Sequence, residues 1–248
     1  MREIIYGRQP VRETLRAGRR QVFKLVLADG IKTSGIVGQI LSLAESANVP
    51  VQAIDRRELD KLSGEANHQG LAAEVSAYPY VALTDPLEVA RQAQVPAFLL
   101  LLDHIQDPQN LGSLLRTAEA VGIHGVVIPD RRAAGVTPAT VRASAGAAEH
   151  VRVAQVVNLA QAMSHLREKG IWLTGLEALP AAQLYTEADL SGPLGLVVGS
   201  EGRGLARLVR ERCDFLIRLP MQGQVESLNA AVAGAIALYE ARRQRMAG

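Results

Sequence analysis

The chain has 248 residues, a mass of 26.6 kDa, 48% hydrophobic but only 4% aromatic residues, and a formal net charge of +2. That length serves one large domain or two modest ones, and an apolar set dominated by Ala, Val, Leu and Ile suits helices packed on a buried sheet. A lone cysteine, Cys213, excludes a disulfide framework or a Cys-cluster metal site and suits a reducing cytoplasm; no apolar run reaches the ~20 residues of a membrane span, and no signal core is expected at the start.

The near-neutral total hides an uneven placement. Of the 27 cations, 23 are Arg, whose planar fork grips phosphate bidentately, although Arg usage also follows genomic base composition. Residues 1–24 hold seven cations (Arg2, Arg8, Arg12, Arg16, Arg19, Arg20 and Lys24) against Glu3 and Glu13, whereas residues 81–248 balance at 16 against 16. A basic head on a neutral body points to an RNA- or DNA-facing module, with a solvated helix face as the ordinary alternative.

In chain order, periodicity predicts a strand at 22–29, an amphipathic helix at 34–49, a strand at 50–55, a short helix at 56–64 and a strand at 70–78. Pro79, Pro86 and Pro96 then interrupt a stretch with no core pattern, which reads as a linker over 78–90 between domains at 1–77 and 91–248. The second domain opens on the near-continuous apolar run FLLLLDHI (98–105), as a parallel strand covered on both faces requires. Helix 110–122, strand 125–129, helix 137–148, strand 151–156, helix 158–170 and strand 171–178 follow. Strand 194–201, helix 205–213, strand 215–220 and a long helix over 227–245 close the chain. This alternation is that of an open, mostly parallel α/β sheet.

Ligands of such sheets collect beyond the carboxyl ends of the strands, so the loops after strands are the ones to read. Three are unusual. In LDHIQDPQNLGSLLRTAEAVG, Asp107 and Pro108 break the strand and Asn110 opens a helix that carries Arg116; taken singly, this is an Asn cap and a surface Arg. In VVGSEGRGL (197–205), three glycines within six residues let the backbone approach a ligand or take turn conformations. Neither a Rossmann spacing nor a Walker lysine is present, which argues against nicotinamide or nucleoside triphosphate sites. In LIRLPMQGQVESLNAAVAGAIALYEA, Ser227 and Asn229 lie at the mouth of an Ala-rich helix, where Ser227 reads as a plain N-cap or as part of an anion-facing helix end. The five histidines show no metal-ligand spacing, and no metal is expected.

Taken together, NLGSLLRTAEAVG, VVGSEGRGL and IRLPMQGQVESLNAAVAGA resemble, in order and spacing, the three motifs of the SpoU (TrmH-like) RNA ribose 2′-O-methyltransferases, over roughly residues 97–245. IIYGRQPVRETL and NHQGLAAEV resemble the small L30e-like RNA-binding domain that bacterial 23S ribosomal RNA guanosine 2′-O-methyltransferases of this family carry. The resemblance implies a SPOUT catalytic domain, an α/β parallel sheet with a deep trefoil knot, which periodicity could not have shown. It implies S-adenosylmethionine as cofactor, 23S rRNA as partner, a homodimer with a shared active site, and a cytoplasmic enzyme without a membrane partner. Carried over by position, it places Asn110, Arg116, Glu201, Ser227 and Asn229 in the catalytic cluster. Gly199, Leu219 and Leu228 would meet the adenosine, with Gly175 in a further cofactor wall.

The chemistry asks for such groups. A ribose 2′-hydroxyl is a poor nucleophile until its proton leaves or its anion is stabilised, so the protein must supply in-line positioning and charge stabilisation. An Arg is always protonated, so Arg116 is expected to clamp RNA phosphate and the developing alkoxide, with Glu201 holding Arg116 or the ribose hydroxyls. Arg8, Arg12, Arg16, Arg19 and Arg20 are the expected RNA-binding cations of the head. Two rival readings are ribose methylation of another rRNA nucleotide, such as a resistance-type adenosine, and a non-catalytic RNA-binding assembly factor.

Overall fold

The computed structural model describes residues 2–224 and 227–247, and the chain divides into two units. Met1–Pro79 together with Val136–His150 form the first, and Tyr80–Gly135 with Val151–Gly248 the second.

The first unit runs β1 (Arg2–Tyr6), α1 (Arg8–Ala17), β2 (Val22–Ala28), α2 (Ile36–Ser46), β3 (Val51–Ile54), α3 (Arg56–Leu62) and β4 (Leu71–Ser76). Its sheet has the order β1-β4-β2-β3, with β4 antiparallel to both neighbours and β2 parallel to β3. Ile5, Val11, Leu25, Ile40, Leu59 and Leu71 are fully buried in it. Before residue 22, where no element is predicted, β1 pairs along its length with the distant β4 and α1 follows it. Helix α1 buries Pro10, Val11 and Thr14 on one face, which leaves Arg8, Arg12 and Arg16 off the core.

The second unit begins earlier than a linker over 78–90 would allow. Helix α4 (Asp85–Gln92) starts there, with Pro86 in its first turn and both Pro86 and Ala90 buried. Then come β5 (Phe98–Asp103), α5 (Pro108–Ala120) and β6 (Gly125–Pro129). Residues 137–148, expected as a helix of the second domain, instead form α6 (Pro138–Ala143) and a 3-10 turn (Ala147–Glu149) that pack in the first unit. There Arg20 Nε donates to Glu149 Oε2 at 3.1 Å, Tyr78 donates its hydroxyl proton to the Ala148 carbonyl at 3.0 Å, and His150 meets Glu13 at 2.9 Å. Polar pairing of this kind leaves no trace in hydrophobic periodicity.

The chain returns to the second unit as β7 (Val153–Val156), α7 (Leu159–Glu168), β8 (Trp172–Leu176) and the two-residue β9 (Gln183–Leu184). It ends with β10 (Leu194–Gly199), α8 (Arg207–Arg212), β11 (Phe215–Arg218) and α9 (Ala230–Ala247). The seven strands are ordered β7-β6-β5-β10-β8-β11-β9, and every pairing is parallel. All residues of β5 and β10 are buried, as central strands covered on both faces must be. Because these strands all run parallel, the three loops singled out by sequence, after β5, β10 and β11, leave the same carboxyl end of the sheet. No helix of the described residues is long and apolar enough to cross a membrane.

Candidate active site

Asp107 ends the loop after β5 and caps α5, its side chain accepting from Gln109 N at 3.0 Å, with Pro108 at the first helical position. Asn110 is therefore not the cap. It sits in the first helical turn with its amide released for other partners. The same substitution of roles occurs at α9: Asn229 Oδ1 accepts from Ala231 N at 2.9 Å and Val232 N at 3.2 Å, which makes Asn229, and not Ser227, the cap.

These two amides meet around a carboxylate. Asn110 Nδ2 donates to Glu201 Oε1 at 2.9 Å, Asn229 Nδ2 donates to Asn110 Oδ1 at 2.9 Å and also to Glu201 Oε1, and Ala230 N reaches the same oxygen at 3.3 Å. Glu201 thus stands at the amino end of α9, where a negative charge is favoured. Arg116 is exposed on α5 and makes no hydrogen bond or ion pair among the described residues, so Glu201 holds the two asparagines and not Arg116.

Beside the cluster lies a cleft of about 440 Å³ lined by the 198–204 loop, Leu176–Ala178, Leu219, Met221, Ser227, Leu228, Ala230 and Ala233. Gly199, Glu201, Ser227, Leu219 and Leu228 all face it, and Leu228 and Met221 leave apolar surface open there. Gly175 does not line it. It is buried within β8, where a Cβ would press on Leu216, Leu205 and Cys213; the wall is made by its successors Leu176 and Glu177. Gly199 is also fixed by packing, since a Cβ there would overlap the backbone of Gly204. Burial, with Asp214, Glu177 and Asp103 nearby, pushes the Cys213 thiol up to about 12, which favours its protonated form at neutral pH. No group of His, Cys, Asp and Glu suited to a metal ion occurs among the described residues.

The basic head divides in two. Arg12 and Arg16 line a groove of about 350 Å³ with Gln39, Ser42 and Ser46, and both face Glu13. Arg8 donates through Nε to the Gln69 carbonyl at 3.2 Å. Arg19 is spent on the Glu149 and Pro79 carbonyls, each at 3.2 Å, and on Tyr78. Arg20 has a fully buried side chain paired with Glu3 at 2.6 Å and Glu149 at 3.1 Å. Charge counting alone cannot separate a buried Arg from a solvated one.

Glu177 and Asp103 were not singled out from the sequence, although each stands at the carboxyl end of a strand, which is the signal that could have found them.

Comparisons with known proteins give the chain its family. The SpoU rRNA methylase family profile matches residues 97–239, and a profile for the substrate-binding domain of RNA 2′-O ribose methyltransferases matches residues 4–81. The chain belongs to the SpoU methylase family. A TrmH-family tRNA/rRNA methyltransferase of Bacillus subtilis (strain 168), YacO, is 44% identical over 98% of this chain and 96% of its own. The SpoU methyltransferase AviRb of Streptomyces viridochromogenes, solved with AdoMet, superposes with a TM-score of 0.83 at 25% identity, covering 99% of this chain and 91% of that one. An AdoMet-bound rRNA methyltransferase of Sinorhizobium meliloti gives 0.80 at 26% identity, over 98% and 87%.

Proposed function

We propose that the protein transfers a methyl group from S-adenosylmethionine to the ribose 2′-hydroxyl of a guanosine in 23S rRNA. The observation that carries this reading is the Asn110–Glu201–Asn229 cluster at the lip of the glycine-lined cleft. The donor set fits the cofactor: close-approach glycines for its backbone-facing side, and Leu219, Leu228 and Met221 for the adenine. AviRb and the Sinorhizobium enzyme were solved with AdoMet, which supports the same cofactor here.

When bound, S-adenosylmethionine supplies an electrophilic methyl that needs no activation. The chain orients the nucleophile: Asn110, locked by Glu201 and Asn229, presents its remaining amide N–H to the nucleotide, and Ser227 lies within the same lining. Arg116 supplies positive charge to phosphate and to the developing alkoxide. The absence of an ion pair between Arg116 and Glu201 among the described residues favours a homodimer in which Arg116 serves the partner's site. The surface for such pairing is the row Val232, Ile236 and Tyr239, spaced along one side of α9 and 49%, 37% and 56% exposed, on the helix that packs against α5. Arg8, Arg12 and Arg16 take RNA phosphates in the first unit, and the guanosine and 23S choice rests on the likeness of that unit to the guanosine enzymes.

The test is to map ribose methylation on 23S rRNA, with tRNA in parallel, from a strain lacking the protein. Loss of one 23S guanosine mark is expected. Loss at an adenosine instead assigns the sister specificity, loss on tRNA overturns the rRNA reading, and no S-adenosylmethionine binding by calorimetry leaves an RNA-binding scaffold.

A further inference from the structure

Three residues stand side by side across the sheet at the site. Gly199 of β10 is in register with Asp103 of β5, and Val198 with Leu176 of β8, which sets Glu177 on the far side of Gly199. The chain leaves β10 at Gly199, turns through 200–203 and returns over the same glycine. A bridge between Ser200 and Gly204 closes the turn, with Gly204 N donating to Ser200 O at 3.0 Å. At the crossing, Leu205 N donates to Glu177 Oε2 at 3.0 Å and Ala206 N to Asp103 Oδ2 at 2.7 Å. One carboxylate from each strand flanking β10 therefore takes one of two consecutive amides.

The loop needs such restraint. Glycines lose more conformational freedom on ordering than other residues, and Gly202 and Gly204 both sit at positive φ, +74° and +63°. Hydrogen bonds from amides to carboxylates are shorter and stronger than neutral ones, so two of them suit the task. Glycine at 204 is required twice, by its φ and because a Cβ there would run into the Glu177 carboxylate. Asp103 is 1% exposed and also meets His104 Nδ1 at 2.5 Å, whereas Glu177 lines the cleft.

We infer that Glu177 and Asp103 are positioning residues of the cofactor pocket: they hold residues 204–206 down on Gly199 and so set the wall that the 199–204 backbone presents to S-adenosylmethionine. This rests on the reading of the cleft as the cofactor site. A carboxylate that only positions works through its acceptor oxygen, and an amide oxygen in its place keeps that bond.

The experiment measures S-adenosylmethionine affinity by calorimetry, methyl transfer kinetics, and hydrogen exchange at the Leu205 and Ala206 amides in the full-length protein. Glu177→Ala is expected to weaken cofactor binding tenfold or more and to raise KM for the cofactor with kcat changed less than twofold at saturation. The Leu205 amide should lose protection. Glu177→Gln should restore affinity to within threefold of wild type. Gly204→Ala, which pushes on the same carboxylate from the loop side, should reproduce the Glu177→Ala loss, and it carries the test if Glu177→Ala does not fold. Wild-type affinity in Glu177→Ala or Gly204→Ala overturns the inference, and so does a Glu177→Gln variant as weak as Glu177→Ala, because the charge would then be touching the ligand directly. Wild-type protein that binds no S-adenosylmethionine overturns the cofactor reading itself, and this inference with it.

Discussion

Asn229 donates to the Asn110 side-chain carbonyl at 2.9 Å across 119 residues of sequence, while its own Oδ1 caps α9 through Ala231 and Val232. One side chain thus serves the helix with its oxygen and the Asn110–Glu201 cluster with its nitrogen.

That division can be separated by substitution. Asn229→Ala should cost about 1 kcal/mol of stability as the cap is lost and should lower methyl transfer ~100-fold, the scale of losing one oriented catalytic donor. Asn229→Ser keeps a capping oxygen but removes the amide N–H groups that reach Asn110 and Glu201. Its thermal midpoint should stay near wild type while its turnover falls as far as that of the Ala variant. Equal activity in Asn229→Ser and wild type would remove the amide from the mechanism.

Arg116 has no partner to lose among the described residues, so Arg116→Ala should leave stability and S-adenosylmethionine affinity unchanged and cut turnover ~100-fold or more. If it serves the partner subunit, mixing Arg116→Ala and Asn229→Ser proteins regenerates one intact site per mixed dimer. Recovered activity in the mixture is the expected result; none at all would put Arg116 in its own chain's site.

The two halves of the basic head should respond differently. Reversing Arg12 and Arg16 to Glu should weaken RNA binding and flatten its salt dependence by roughly one unit of log–log slope for each phosphate no longer neutralised. Cofactor affinity should not move. An unchanged salt slope would return this face to a solvated surface.

Arg20→Ala acts on folding. It leaves Glu149, 1% exposed, and Glu3 without their buried cation, and breaking a buried pair in this way costs about 3–5 kcal/mol. Chemical denaturation measures it directly. A loss below about 1 kcal/mol would show that the pair is solvated in solution.

His124 supplies a pH signature in the second unit. Burial, then the Arg245 and Arg152 charges, hold its pKa below the usual histidine value, and its Nδ1 accepts from Phe98 N at 2.9 Å, which requires an unprotonated nitrogen. On acidification the unfolded chain therefore takes the proton first. The stabilisation is complete above about pH 6.5 and is lost as pH falls towards the lower folded value. Thermal midpoints of wild type and His124→Gln should diverge least at acid pH, because the variant lacks that titration. Parallel pH curves would dismiss His124 as the source.

Much of this was legible locally. The alternation of apolar runs with helical periods over 98–245 marked a parallel α/β sheet, and the order of three loop motifs marked the methyltransferase family, since both are written in neighbouring residues. Other features depend on partners far along the chain. Ser227 and Asn110 had the composition of caps, but Asp107 and Asn229 take those places, because a cap is decided by where the helix starts against its neighbours. Arg19 and Arg20 counted as two more cations of an RNA-facing head until Glu149, 129 residues beyond Arg20, buried one of them. The insertion of β10 between β5 and β8 brings Asp103, Gly199 and Glu177 into one row. Hydrogen-bond pairing between strands carries no signature in either strand alone, so only the tertiary structure could reveal that the pocket's glycine loop is held from both sides by carboxylates.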